Sequence, residues 1–277
     1  MKQPLAIVNP HSGLAVPSEL EGRLALTETQ LFNEADIYAE RIYDYADDVL
    51  YSLTFPIARA IIDVNRPDNP ERTRPGDGIV KRQTSYGAPV FLPGAEPDEA
   101  LERLLIDKYW RTWHEQLAAI AADPAVKLVV DAHTMAAAGP TTYGDPGERR
   151  PRIAVCNFGD HEGRPFSETP LTAPPELMQE MARLLKRQFS QLIPLAETGL
   201  AVAVNHPFKG GMDIAAHGGK QQPWVMVEIS RAMYVGDQTG ETAVSPPNET
   251  AIGALRQAFW EVLTKIELGR LGESSIS

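Results

Sequence analysis

Leu128-Val129-Val130-Asp131-Ala132-His133-Thr134 is an apolar run that breaks off at a carboxylate and a histidine. The run reads as a buried β-strand, and a buried strand has no packing need for an imidazole. Open α/β sheets place their chemistry beyond the carboxyl ends of their strands, so the junction marks both a fold class and a place in it. Side chains alternate along a strand, so Asp131 and His133 point to the same face, where a carboxylate can fix the tautomer of a ligating imidazole. A core histidine bonded to a neighbouring Asp is the bland alternative. The same pattern recurs near the amino terminus, in Leu5-Ala6-Ile7-Val8-Asn9-Pro10-His11-Ser12-Gly13.

Working outward, short β-branched runs bounded by polar, Gly or Pro positions predict strands at 5–9, 60–65, 127–131, 152–157, 200–205 and 224–229. Helix-like stretches fall at 33–50, with Asn33 as N-cap, and at 97–121, 175–193 and 248–268, the last capped by Asn248. Strands separated by long helices imply a mostly parallel or mixed sheet flanked by helices. The expected fold is thus a single α/β domain over residues 1–277. Segments 67–96 and 139–151 are rich in Gly and Pro and read as long loops of the kind that form lids and binding walls. The tail 272–277 is expected to fray.

Composition narrows the function. With 277 residues, 43% of them hydrophobic, the chain can bury a large core. Its formal charge of -11 argues against a nucleic-acid or anionic-membrane partner. The single cysteine, Cys156, excludes an internal disulfide and any cysteine-based zinc site. No segment approaches the apolar length of a membrane span, and no long apolar leader opens the chain; the expectation is a cytoplasmic enzyme.

A catalytic zinc needs about three protein ligands, usually His and carboxylate in hydrolases. His11 and His133 follow strands and are the best imidazole donors among the six histidines; His114 reads as a packing residue, His161 as a turn residue, and His206 and His217 as exposed. The acidic partner is open between Glu34 and Asp36, both of which the dipole of a first helical turn would also favour. In Arg59-Ala-Ile-Ile-Asp63-Val-Asn65-Arg66, Arg66 suits a bidentate grip on a carboxylate and Arg59 could polarise a carbonyl, although Arg59 and Asp63 also read as an ion pair. Paired glycines in Asn205-His-Pro-Phe-Lys209-Gly210-Gly211 let backbone approach a ligand, and Lys209 adds charge. Glu228 interrupts the apolar run Trp224-Val-Met-Val-Glu228-Ile-Ser, as a buried general base would.

Together these segments resemble the N-formylglutamate amidohydrolase family, which is similar to aspartoacylases and zinc carboxypeptidases. The resemblance covers most of the chain, through Pro10-His11-Ser12-Gly13, Glu34-Ala35-Asp36 before Arg41-Ile42-Tyr43, Ile62-Asp63-Val64-Asn65-Arg66-Pro67, Asp131-Ala132-His133-Thr134, Asn205 to Gly211, and Val227-Glu228. It implies a three-layer α/β/α fold of the phosphorylase/hydrolase-like kind. It also implies one zinc ion on His11, Asp36 and His133, with Glu228 as general base and acid and Arg59 at the oxyanion. Asn65, Arg66, Asn205, Lys209, Gly210 and Gly211 would bind the substrate. The expected substrate is a small N-acyl amino acid or peptide-like carboxylate, cleaved at its amide. The alternatives are a carboxypeptidase- or peptide-amidase-like metallohydrolase and a catalytically silent metal or carboxylate binder. In aspartoacylases the acidic ligand falls three residues after the first histidine, where this chain has Leu14. After the paired glycine the family runs on with Thr-Arg-His, whereas this chain has Ile214-Ala215-Ala216, which counts against N-formylglutamate itself as substrate.

Overall fold

The computed structural model describes residues 2–267 apart from 70, 72, 167 and 194–200. In chain order it contains β1 (Gln3–Asn9), α1 (Glu28–Glu34), α2 (Ala39–Ile42), β2 (Val49–Thr54) and α3 (Glu99–Leu105). A π-helical turn (Ile106–Arg111) joins α3 to α4 (Thr112–Ala122). Then come β3 (Leu128–Met135), β4 (Ile153–Cys156), α5 (Pro175–Gln188), β5 (Val202–Val204), α6 (Met212–His217), β6 (Trp224–Ser230) and α7 (Glu249–Lys265).

The six strands form one mixed sheet in the order β2-β1-β3-β6-β4-β5. β2, β1, β3 and β6 are mutually parallel, while β4 runs antiparallel to β6. Because the central strands are covered on both faces, their apolar runs are nearly continuous and the alternation shows only in where each residue packs. Leu5, Ile7, Val130, Val225 and Val227 face one core, with α2, α5 and α7. Ala6, Val8, Val129, Trp224 and Met226 face the other, beneath α4, α6 and the turn-rich stretch around Ile57–Val64. The architecture is α/β/α in three layers, as the resemblance implied, around the mixed, helix-flanked sheet expected from the alternation of strands and helices.

Three local expectations fail for identifiable reasons. Segment 33–50 is not one helix. α1 starts earlier, on a capping box between Thr27 and Gln30, and Asn33 lies inside it with its amide donating to Thr29 O and Thr242 O. The chain then leaves the helix at Ala35, and Tyr38, at φ 64, opens the short α2. Residues 49–54 are the edge strand β2, whose outward Tyr51 and Ser52 dilute its apolar signal. Segment 60–65 is turns and a single bridge, Ile62↔Val80, not a strand; its apolar run reports burial on all sides rather than extended backbone. The ends of the 200–205 and 248–268 predictions, and the tail 272–277, fall outside the described residues.

Candidate active site

The sheet order reverses direction between β1 and β3: β1 connects onward to β2 on one side, while β3 lies on the other. Binding crevices open at such switch points, beyond the carboxyl ends of the strands. His11 follows β1 and His133 sits near the end of β3, so both histidines flank this crevice. Asn9 turns the chain after β1, its Oδ1 accepting from His11 N at 3.3 Å and Ser12 N at 3.2 Å. Gly13 permits the next step, since a Cβ there would stand 2.2 Å from the Pro56 carbonyl carbon.

Asp36 arrives from the extended link between α1 and α2. Its N–H donates to His11 O at 3.0 Å, and its Oδ2 accepts from Thr134 N at 3.1 Å. That carboxylate lies between the two imidazoles, 3.7 Å from His11 Nδ1 and 3.1 Å from His133 Nδ1. The other nitrogen of each ring is backed by a second carboxylate. His11 Nε2 is 2.8 Å from Asp63 Oδ1, and His133 Nε2 is 2.9 Å from Asp131 Oδ1. The latter contact is an ion pair by distance only, its angle leaving both Asp131 oxygens without a hydrogen-bond donor. Glu34 also lines this cavity, but its Oε1 is taken up by Ser85, accepting from Ser85 N at 2.8 Å and Ser85 Oγ at 2.5 Å.

These donors fit a divalent metal. His11, Asp36 and His133 are the one group of metal-ligating type found among the described residues, with their ligand atoms within 4.8 Å of one another. Bonds of about 2.0–2.1 Å in tetrahedral geometry put donors roughly 3.3 Å apart, between the two spacings seen. His11 Nδ1 is buried without a hydrogen-bond partner. Each ring turns one nitrogen to the centre and the other to a carboxylate, the outer arrangement that ligating histidines use. Burial, reinforced by Arg59 against the pull of Asp63, pushes His11 down to about 3 and keeps it neutral, the ligating form. At His133 burial acts in the same direction, but Asp131 and Asp36 outweigh it and hold a proton on the ring. A metal would therefore displace that proton.

Glu228 is the register partner of His133 on β6, and its side chain reaches the same cavity. It is 7% exposed, and its Oε2 has no hydrogen-bond partner. Burial raises its carboxyl, His133 opposes and Asp36 adds to the rise, leaving it at about 7.

Asp63 is the junction between this centre and the arginines. Besides His11, its Oδ2 takes Arg59 Nη2 at 2.8 Å and lies 3.4 Å from Arg66 Nη1. Asn65 N donates to Asp63 Oδ1, and Asn65 Oδ1 accepts from Asp213 N at 2.8 Å, so its amide covers the start of α6. Its Nδ2 lies 3.2 Å from His133 Nε2. This close approach needs Gly211, where a Cβ would fall 2.4 Å from Asn65 Nδ2. Trp110, on the π-helical turn, fixes Arg66 by donating to its carbonyl at 2.9 Å.

The cavity has a volume of about 330 Å³. His11, Asp36, His133 and Glu228 line it, as do Arg59, Asn65, Arg66, Gly210 and Gly211. Two residues expected at the substrate do not. Asn205 is buried behind the wall, its amide used by Asn157 and Asp160, and Lys209 Nζ turns to Gly159 O at 3.3 Å, over the Phe166 ring. Ala215 and Ala216 are also absent from the walls, so the loss of a basic residue there says less about substrate than the sequence suggested. Other cations line the cavity instead: Arg74, Arg150 and Arg231, with Tyr143 beside the first two. Sequence reading missed Arg74 and Arg150 because they sit in loops whose path no periodicity reveals, their only signal being the length of 67–96 and 139–151. Arg231 directly follows β6, and its place at a strand end was the signal that could have found it.

A three-layer sheet with acids, histidines and arginines gathered at its carboxyl edge defines an α/β enzyme of the hydrolase kind. The family model for N-formylglutamate amidohydrolase matches residues 3–235, and the chain belongs to that family. Among solved structures it is similar to N-formylglutamate amidohydrolase from Ralstonia eutropha, at 21% identity and a TM-score of 0.68 over 97% of this chain and 95% of that one. A gene product of Agrobacterium tumefaciens is similar at 18% identity and a TM-score of 0.62, over 96% and 92% of the two chains. At such identities the likeness is one of fold. No curated protein matches the chain by sequence.

Proposed function

We propose that this amidohydrolase is metal-dependent and removes the acyl group of a small N-acyl amino acid. His11, Asp36 and His133 would hold zinc, which when bound supplies a Lewis acid able to acidify water and polarise a carbonyl. The observation that carries the reading is Glu228, a buried carboxyl poised near neutrality on the strand beside His133. A base with that affinity can take a proton from water attacking the carbonyl carbon and return it to the departing nitrogen as the C–N bond breaks. Arg59, fixed by Asp63 and with its Nε unpartnered, would meet the negative charge that develops on the carbonyl oxygen. Asn65 and Arg66 would hold a carboxylate of the substrate. A pure binding protein has no use for an unpaired base at this point.

The test is Glu228→Gln in metal-replete enzyme, assayed on a panel of N-formyl and N-acetyl amino acids. Loss of a positioned general base lowers kcat by about 10²–10⁴. Metal content should stay at the wild-type level. Wild-type turnover in the variant, or no turnover of any panel member by metal-replete wild type, overturns the reading.

A further inference from the structure

One buried cation near the cavity has no part in that chemistry. Lys81 is 1% exposed, in the middle of the long 67–96 loop, and its Nζ lies 2.9 Å from Asp77 Oδ1. An ammonium taken out of water is costly unless it is paired. Asp77 in turn holds Arg66 Nη2 at 3.2 Å and Arg74 Nη2 at 2.9 Å. Of these three partners only Lys81 is fully buried; Arg74 is 43% exposed at its side chain. Lys81 is also fixed through its backbone, its N–H donating to Ile61 O at 3.0 Å beside the Ile62↔Val80 bridge.

Resting on the carboxylate-binding role of Arg66, we propose that Lys81, acting through Asp77, is a positioning residue for Arg66 and sets how tightly the cavity holds a substrate carboxylate. Lys81 pins one Asp77 oxygen to the floor formed by Ile61 and Ile62. Arg66 is thereby stretched between two fixed carboxylates, Asp63 on Nη1 and Asp77 on Nη2. Without Lys81, Asp77 is free to swing to the half-exposed Arg74, and Arg66 loses one of its two anchors.

Lys81 has a second effect, on charge. Among the described ion pairs, Arg59, Arg66, Arg74 and Lys81 meet on two carboxylates, Asp63 and Asp77. The field reaches the cavity wall. Burial raises the Tyr143 hydroxyl, yet Arg59, Arg66 and Lys81 together bring it below its ordinary value.

The experiment compares Lys81→Met, Lys81→Arg and Asp77→Asn in metal-replete enzyme with N-formylglutamate, alone and on an Arg66→Met background. Loss of ground-state binding predicts a KM raised about tenfold or more in Lys81→Met and Asp77→Asn, with kcat within about twofold of wild type. Lys81→Arg should restore much of the KM. On the Arg66→Met background Lys81→Met should add nothing further, because the two act on one contact. A residue that only supports the fold would lower thermal stability and active fraction and leave KM alone. Effects of Lys81→Met and Arg66→Met that multiply would overturn the proposal. A crystal structure of Lys81→Met decides the matter without reference to turnover: Arg66 must leave Asp77, and an unmoved Arg66 sinks the idea. Should Lys81→Met not fold, Asp77→Asn carries the KM comparison. If wild type hydrolyses no N-acyl amino acid, the function proposed above fails, while the position of Arg66 in the variant still decides this one.

Discussion

At the scale of single residues, the chain solves a problem of supply. His11 follows β1 and His133 stands on β3, but the position three residues past His11 is Leu14, which is exposed, so the carboxylate that lies between the two rings comes from elsewhere. It comes from Asp36, held by His11 O, Thr134 N and the arginine that follows β6: Arg231 Nη1 donates to Ala35 O next door. Tyr234 fixes the other side by donating to Ile37 O at 2.8 Å. If Asp36 is the third ligand, Asp36→Asn should lose zinc while Glu34→Gln keeps it, since the Glu34 carboxylate is turned to Ser85. Zinc per chain after exhaustive dialysis measures this, and loss confined to the Glu34 variant would reverse the assignment. His11, Asp36 and His133 were nameable from sequence because each breaks a local pattern or matches a family motif. The Asp63 hub was harder to see: an Asp four residues after an Arg is ordinary, and only the fold shows that it faces His11 as well.

At the scale of elements, α4 and α6 meet behind the cavity through a pair of histidines. His114 Nδ1 lies 3.0 Å from His217 Nε2, and His114 Nε2 lies 3.0 Å from Val64 O. Burial, then the neighbouring His114 and Lys220, push His217 down to about 4 from its ordinary 6.5. The folded chain therefore keeps this ring neutral where the unfolded chain takes a proton. Its contribution to stability is complete above pH 6.5 and is lost as pH falls toward about 4. Thermal midpoints of wild type and His217→Gln, measured from pH 8 to pH 4, should show the wild type losing ground on acidification; parallel curves would refute this. The α7 contact is simpler. Phe259 is fully buried against Tyr43 and Tyr45, and Phe259→Ala should cost about 3–5 kcal/mol in a denaturant titration. Elements of this sort were legible where they are long and amphipathic or wholly apolar. Edge strand β2 and the split of α1 from α2 were not, because exposure and a functional loop override the local pattern there.

At the scale of the whole molecule, the proposed metal would join three distant parts of the chain, so it should stabilise the fold by mass action. At a free zinc concentration 100 times the dissociation constant, the gain is about 2.7 kcal/mol, which for a domain of this size raises the melting temperature by roughly 4–5 °C. The rise should disappear in His11→Ala and His133→Ala, measured by calorimetry with and without a chelator. A rise of equal size in those variants would place the metal elsewhere. A mixed sheet flanked by helices followed from the order of strands and helices in the sequence, and the resemblance added the three-layer arrangement, since that order leaves few ways to cover both faces of a sheet. The strand order did not follow, because it rests on pairings such as β3 with β6 that join residues about ninety positions apart.

That pairing has a bearing on synthesis. Among the described strands β6 is the last to leave the ribosome, yet it belongs between β3 and β4, so the sheet has a gap at its centre until residue 230 has emerged. Until then β3 and β4, wholly buried in the finished fold, each present an unpaired edge, the kind of template on which nascent chains adhere to one another. The same strand delivers Glu228, so the proposed acid–base group enters only when the sheet closes. A polypeptide stopped at residue 217 would hold all three histidine and aspartate donors, exposed edges and no base. It should be sticky, dependent on chaperones and inert.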